Sequence, residues 1–203
     1  MRSVGTLSDS KLSQRSFAEV DRLEGGVVGE SKTGPVEEPV LLKVHMSTPV
    51  YKNIVALLDS HGCVYETQHH EPTLTSQIAA DVRGVSLESG AKAIVAKGHK
   101  TGNYFLFVMP AHLKLWGGAA KRACGEAVGF AKNCEELTGC VPGSVPPFGS
   151  VIGLKTYVDP RLKENEIIHF NAGSLTDSVS MRCEDYLKIE QPVVVEIAKE
   201  IEG

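Results

Sequence analysis

The sequence predicts an α/β domain in which helices pack on a mixed β-sheet. Three observations carry that prediction. Helical and strand periodicities interleave along the chain without the strict strand–helix–strand rhythm of a doubly wound parallel sheet. Ala91–Ala96 and Tyr104–Met109 read as two strong strands, joined by a Lys97–Asn103 hairpin that contains two glycines. A hydrophobic fraction of 42% over 203 residues suffices for an ordinary core.

Residues 1–40 lack sustained apolar periodicity and are dominated by Ser, Gly and Glu, so they are expected to form a poorly structured extension, with residues 41–203 as the folded domain. Ser47 or Thr48 is placed to cap a first helix, with Pro49 at its first position. Val50, Ile54, Leu57, Leu58 and His61 follow at helical spacing, and Gly62 ends it. Cys63–His70 reads as a strand. Thr75 opens a second helix, with Ile78, Ala79 and Val82 on one face and Gly84 at its end.

After the central hairpin, Leu113–Ala123 is expected to be a helix loosened by Gly117 and Gly118. Asn133 is read as the cap of a short helix, with Glu136 at the capping-box position and Gly139 at its end. Strands are expected near Leu154–Val158, Ile167–Asn171 and Ser178–Arg182, then a helix over Glu184–Ile189. Val193–Val195 leads into an expected helical turn.

Charge and cysteine usage narrow the function classes. The net charge is −4, yet the segment from Ser89 to Cys134 holds seven cations and one acid, Glu126. That is a local net of +6, leaving −10 elsewhere, and a local excess of this kind suits phosphates. The five cysteines are odd in number and form no CxxC pair, which speaks against a secreted disulfide framework and a zinc site. No apolar run reaches the roughly 18 residues of a membrane helix. The N-terminus lacks a secretory apolar stretch, and Asp9 and Glu19 argue against a transit peptide. The expectation is a cytoplasmic protein with no metal and no cofactor.

The stretch from Thr138 to Gly149 carries the chemistry. Gly139, Gly143 and Gly149 permit positive φ and close backbone approach, while Pro142, Pro146 and Pro147 fix φ and remove donors. Such a loop presents stiff backbone dipoles that can hold a carbonyl, a water or a developing oxyanion. Lys92 stands in a strand otherwise made of Ala, Ile and Val, so it must face solvent, a partner or a pocket. His69 and His70 are strand neighbours on opposite faces and cannot easily share one ion. His70 and His169 are candidate site residues, and Cys140 is a nucleophile only if a base lies beside it.

Gly143-Ser144-Val145-Pro146-Pro147 resembles the GxxxP loop of the YbaK and prolyl-tRNA-synthetase-associated editing-domain family. Three further segments fit in the family's order. Ala91-Lys92-Ala93-Ile94-Val95 looks like its lysine-bearing strand, His70-Glu71-Pro72 like its His-x-Pro segment, and Asn171-Ala172-Gly173-Ser174 like its small-residue turn. The resemblance covers about residues 47–190.

It implies a strongly curved, barrel-like sheet and hydrolysis of the ester of mischarged aminoacyl-tRNA, with alanine or cysteine on proline tRNA as the expected error. It implies catalytic roles for Lys92, Gly143, Ser144, Val145 and Pro147, with His70, His169, Ala172, Gly173 and Ser174 contacting substrate. Lys92 would hold the acceptor end, the loop would place carbonyl and water, and a substrate ribose hydroxyl would assist proton transfer. The partner is tRNA, with an aminoacyl-tRNA synthetase as a second candidate.

Ala93, Gln68 and Ser174–Thr176 depart from the family pattern, which bears on amino-acid specificity rather than reaction class. A non-catalytic tRNA- or synthetase-binding module is the alternative, and a small-molecule hydrolase a third.

Overall fold

A computed structural model describes residues 47–201, so the expectation for residues 1–40 lies outside the described residues. The first helix, α1 (Pro49–Ser60), begins where Thr48 accepts a hydrogen bond from the Tyr51 amide at 3.1 Å, with Pro49 in the first turn. Its buried residues Val50, Ile54 and Leu58 repeat every four positions and seat it on the core. The short strand β1 (Tyr65–His69) follows. α2 (Ser76–Arg83) starts at Thr75, whose side chain accepts from the Ile78 amide.

α2 buries a different stripe from the one expected. Ala79 and Ala80 face inward, whereas Ile78 and Val82 stay exposed. The small alanines let the helix lie close to its neighbours, and the larger residues do not fit there.

The centre is a five-stranded sheet in the order β5-β2-β3-β6-β9, formed by β2 (Ala91–Gly98), β3 (Tyr104–Pro110), β5 (Val128–Phe130), β6 (Lys155–Val158) and β9 (Val193–Val194). β2 pairs antiparallel with β3 and β5, and β6 pairs parallel with β3 and β9, so the sheet is mixed as predicted. β3 is covered on both faces. Leu106 and Val108 join one core with Ile54, Leu58, Phe148, Phe170 and Tyr186. Phe105, Phe107 and Met109 join a second with Leu113, Tyr157 and Ile197. Burial on both faces is why Tyr104–Met109 reads as a continuous apolar run.

A second sheet, β1-β8-β7, comprises β1, β8 (Asp177–Arg182) and β7 (Ile167–Asn171), all antiparallel. β4 (Leu113–Leu115) pairs with β10 (Ala198–Glu200) in a third. The expected barrel is not found. The strands divide among three sheets, and an isolated parallel bridge between Gly90 and His169 links the first two.

The expected helix over Leu113–Ala123 is instead β4 followed by α3 (Gly117–Cys124). Leu113 is drawn into the second core and its strand pairs with β10, so only the part beyond Trp116 coils. The same pairing makes the tail a strand where a helical turn was expected. β5 was not foreseen; it is three residues long and has little pattern to read.

α4 (Cys134–Thr138) ends at Gly139 as expected, but Asn133 makes no capping bond. Its Oδ1 accepts from the Tyr104 hydroxyl at 3.0 Å instead. α5 (Gly149–Ile152) and α6 (Cys183–Glu190) complete the described elements, with 3₁₀ turns at Leu87–Ser89 and Pro160–Glu164. Among the described residues no helix is long and apolar enough to cross a membrane.

Candidate active site

The Gly/Pro loop is fixed from several sides. Gly143 has φ +90°, a conformation that favours glycine. Ser144 is buried, and both its amide and its hydroxyl donate to the Val141 carbonyl, at 3.0 and 2.9 Å, closing a tight turn. The Gly173 amide donates to the Ser144 carbonyl at 2.9 Å. Asn171 Nδ2 donates to the Gly143 carbonyl at 2.8 Å. The buried Tyr186 hydroxyl donates to the Pro147 carbonyl at 2.9 Å, and Phe148 packs edge-on against Phe170 and Tyr186.

Gly173 is required for this docking. A Cβ there would lie 2.7 Å from Val50 Cβ, and its φ is +84°. With these carbonyls tied back, the amides of Gly143 and Val145 have no acceptor among the described residues. Two donors are therefore left on residues that line a cavity.

That cavity has a volume of about 220 Å³. It lies along the Ala91–Ile94 part of β2, an edge left open because β5 pairs only with Ala96–Gly98. Thr73, Arg83, Lys92, Gly143, Val145, His169 and Asn171 contribute to its wall.

Lys92 lies opposite Met109, so it leaves β2 on the side of the second core, while Ala91 and Val95 face the first core and Val145. Its ammonium donates to the carbonyls of Ala111, at 3.0 Å, and Leu113. Lys92 and the loop both contribute to the cavity wall, but the lysine side chain leaves β2 on the face opposite the one that packs on Val145, so the two are not brought together on one face of the sheet. Burial lowers its pKa from the ordinary lysine value. An ammonium has three donors, so one remains beyond the two carbonyls.

Two neighbours were not picked out from the sequence. Arg83, in the last turn of α2, donates from Nε to Ser178 Oγ at 2.8 Å and from its terminal nitrogen to Asn171 Oδ1. Burial brings its pKa down to about 10, so the guanidinium stays charged at neutral pH. Asn171 therefore joins Arg83 to the loop. The signal for Asn171 was present in the Asn171–Ser174 segment. Arg83 carried none, since a basic residue before a helix-ending glycine is common for helix-dipole reasons.

His169 also lines the cavity, and its Nδ1 pairs with Ser180 Oγ at 2.8 Å. Burial, then the nearby Arg83 charge, lowers its pKa against a smaller raising effect of Glu66.

The other predicted positions stand behind the wall. Ser144 and Pro147 are buried within the loop, and Ala172 is fully buried. Ser174 Oγ donates to the buried Asp177 carboxylate, whose other oxygen lies 3.1 Å from His69 Nδ1. His70 pairs through Nε2 with Ser178 Oγ at 2.5 Å and through Nδ1 with the Glu71 carbonyl at 2.8 Å. None of His70, Ala172, Gly173 and Ser174 lines the cavity. Cys140 is fully buried with its thiol pKa raised by burial, which does not suit a nucleophile. Among the described residues no three or more His, Cys, Asp and Glu side chains are grouped to hold a metal ion.

Residues 70–189 match the family model for the aminoacyl-tRNA editing domain, and this span contains the loop, the Lys92 strand and the Asn171 turn. The chain belongs to the aminoacyl-tRNA editing domain family. Membership of the editing family places it among the aminoacyl-tRNA deacylases, which are ester hydrolases. It is 35% identical over 151 residues to the multifunctional Ser/Thr-tRNA deacylase ProXp-y of Escherichia coli strain K12, covering 71% of this chain and 90% of that protein.

Two solved structures share the editing fold. One is a hypothetical protein with a TM-score of 0.67 and 21% identity, over 72% of this chain and 99% of the other. The second is assigned as a candidate trans-editing enzyme for prolyl tRNA synthetase, with a TM-score of 0.65 and 23% identity, over 76% and 99%. At such identities the likeness speaks to the fold.

Proposed function

We propose that this editing domain hydrolyses mischarged tRNA and that the cavity beside Gly143 takes the ester. The observation that carries this reading is the pair of amides, Gly143 and Val145, which have no acceptor among the described residues on a loop otherwise tied into the protein. Donors fixed before the reaction stabilise charge that develops on the carbonyl oxygen when water attacks. Water adds to the ester carbon, the bond to the ribose oxygen breaks, and the proton passes to that oxygen, with a neighbouring ribose hydroxyl assisting. The remaining Lys92 donor holds the phosphate of the terminal adenosine. His169 stands at the wall as a neutral imidazole. Because the ester is already activated, orientation supplies much of the rate and no covalent intermediate is required.

The cavity wall also favours a class of amino acid. Thr73, Ser76 and Asn171 line it, and because the Thr73 hydroxyl and the Asn171 amide are held by Leu175, Gly143 and Arg83, Ser76 carries the hydroxyl with no bonded partner among the described residues. A site that hydrogen-bonds a hydroxyl rejects analogues lacking it far more strongly than a purely apolar pocket can. We therefore place serine and threonine ahead of the alanine and cysteine first expected, in line with the specificity of the ProXp-y relative.

The test is release of labelled amino acid from a panel of seryl-, threonyl-, alanyl- and cysteinyl-tRNAs by wild type and Lys92→Ala. Wild type should release serine or threonine fastest, and the variant should lose about 100-fold, the scale of one transition-state electrostatic contact. No release by wild type from any member would favour the non-catalytic binding module.

A further inference from the structure

Apart from Lys92, the Ser89–Cys134 cations lie outside the cavity wall. Lys97, Lys100, Lys121 and Arg122 are all exposed. Lys100 stands at the tip of the β2–β3 hairpin, whereas Lys97 leaves β2 on the opposite face of the sheet from α3, with its ammonium 5.3 Å from the centroid of the Tyr104 ring. Lys121 and Arg122 lie on α3, a few residues before β5. Glu126, the one acid of the segment, is withdrawn. Its carboxylate accepts from the amides of Lys100 and Thr101 at 2.7 and 3.0 Å and from the Thr101 hydroxyl at 2.5 Å, closing the hairpin tip. The outward charge is therefore cationic.

Two aromatic residues stand in this region. Phe130 on β5 is 75% exposed, and Trp116 is 42% exposed with the Arg122 guanidinium 4.7 Å above its ring. Stacking fixes the planar fork, whose geometry suits a phosphate.

β5 occupies the same edge of β2 as the cavity, one strand segment further on. Phe130 lies opposite Ala96, four residues from Lys92 and on the same face of β2, or about 14 Å along an antiparallel strand. That span corresponds to about four stacked nucleotides at 3.4 Å each.

We propose that β5, the tip of the β2–β3 hairpin and α3 form the docking surface for the acceptor arm of tRNA, with phosphates on Lys100, Lys121 and Arg122 and Phe130 as a stacking platform. This rests on the deacylase reading of the cavity. Charge complementarity selects a nucleic acid over a protein partner, since an apolar interface would not keep three exposed cations around two aromatic rings.

The experiment measures two things on the full chain. Binding of uncharged tRNA is followed by fluorescence anisotropy across a salt series, and hydrolysis is followed on aminoacyl-tRNA and on the corresponding aminoacyl-adenosine ester, which fills the cavity without an arm. Lys100→Glu and Lys121→Glu/Arg122→Glu should each weaken tRNA binding at least about tenfold and reduce the salt slope by about one to two, whereas Lys97→Glu, on the other face, should leave both within about twofold of wild type. Phe130→Ala should weaken it at least about fivefold. Hydrolysis of the adenosine ester should stay at the wild-type rate. Equal tRNA affinity and salt slope in wild type, Lys100→Glu and Lys121→Glu/Arg122→Glu would overturn the docking surface and hand the face to an acidic protein partner. Failure of wild type to hydrolyse either ester would count instead against the deacylase reading, while the binding arm would still decide the surface.

Discussion

Replacing Asn171 tests whether the loop must be clamped to work. Its side chain has two separable tasks. Nδ2 donates to the Gly143 carbonyl at 2.8 Å, and Oδ1 accepts from the Arg83 guanidinium. Asn171→Ala removes both. A neutral hydrogen bond contributes about 1 kcal/mol net and one to a charged group about 1.5–3 kcal/mol, so the loss is about 2–4 kcal/mol. For a domain of this size that lowers Tm by roughly 5–15 °C. Asn171→Asp removes only the donor. The carboxylate keeps Arg83, so stability should stay within about 1.5 kcal/mol of wild type.

The same carboxylate repels the Gly143 carbonyl and turns the loop, displacing the Gly143 and Val145 amides. A fall of 10- to 100-fold in kcat is expected, equal to about 1.4–2.7 kcal/mol of transition-state stabilisation. The assay pairs thermal unfolding with single-turnover release of amino acid from tRNA. An Asn171→Asp protein with wild-type kcat would refute the claim that this clamp positions the loop.

Three further outcomes follow from the geometry. Asp159 is fully buried; burial raises its pKa, but the two-pronged Arg161 contact and the Ile197 and Ala198 amides outweigh this and hold it below the ordinary value. Its stabilisation is present above the unfolded pKa of about 4 and is lost as pH falls through the lower folded value, and Asp159→Ala should cost about 3–5 kcal/mol in denaturant unfolding.

Gly173→Ala drives a methyl to 2.7 Å from Val50 Cβ at a φ of +84°, so a loss of about 1–3 kcal/mol with reduced turnover is expected by calorimetry and release assay. His169 has its pKa below 6.5, so the ring is neutral at pH 7. The unfolded chain binds this proton more tightly, so the His169 contribution to stability weakens as pH falls through 6.5 toward the folded pKa. An imidazole NMR titration with a midpoint at or above 6.5 would contradict the burial argument.

The sequence by itself determined most local structure and the reaction class. Thr48 and Pro49 begin α1, Gly139 ends α4, and the β2 and β3 runs pair, because caps, positive-φ glycines and apolar periodicity act within a few residues. The Gly143–Pro147 loop and the lysine strand identified the family for the same reason, since both are contiguous patterns.

Only the tertiary structure decided what depends on distant partners. The tail became a strand because Leu113–Leu115 offered it an edge, and Ile78 and Val82 stayed outside because two alanines filled the contact. Arg83 reached the site through Asn171, 88 positions away in sequence. Lys92 leaves β2 on the face away from the loop, a placement set by strand register and by the carbonyls of Ala111 and Leu113. Such pairings arise from packing between remote segments, and no local pattern along the chain encodes them.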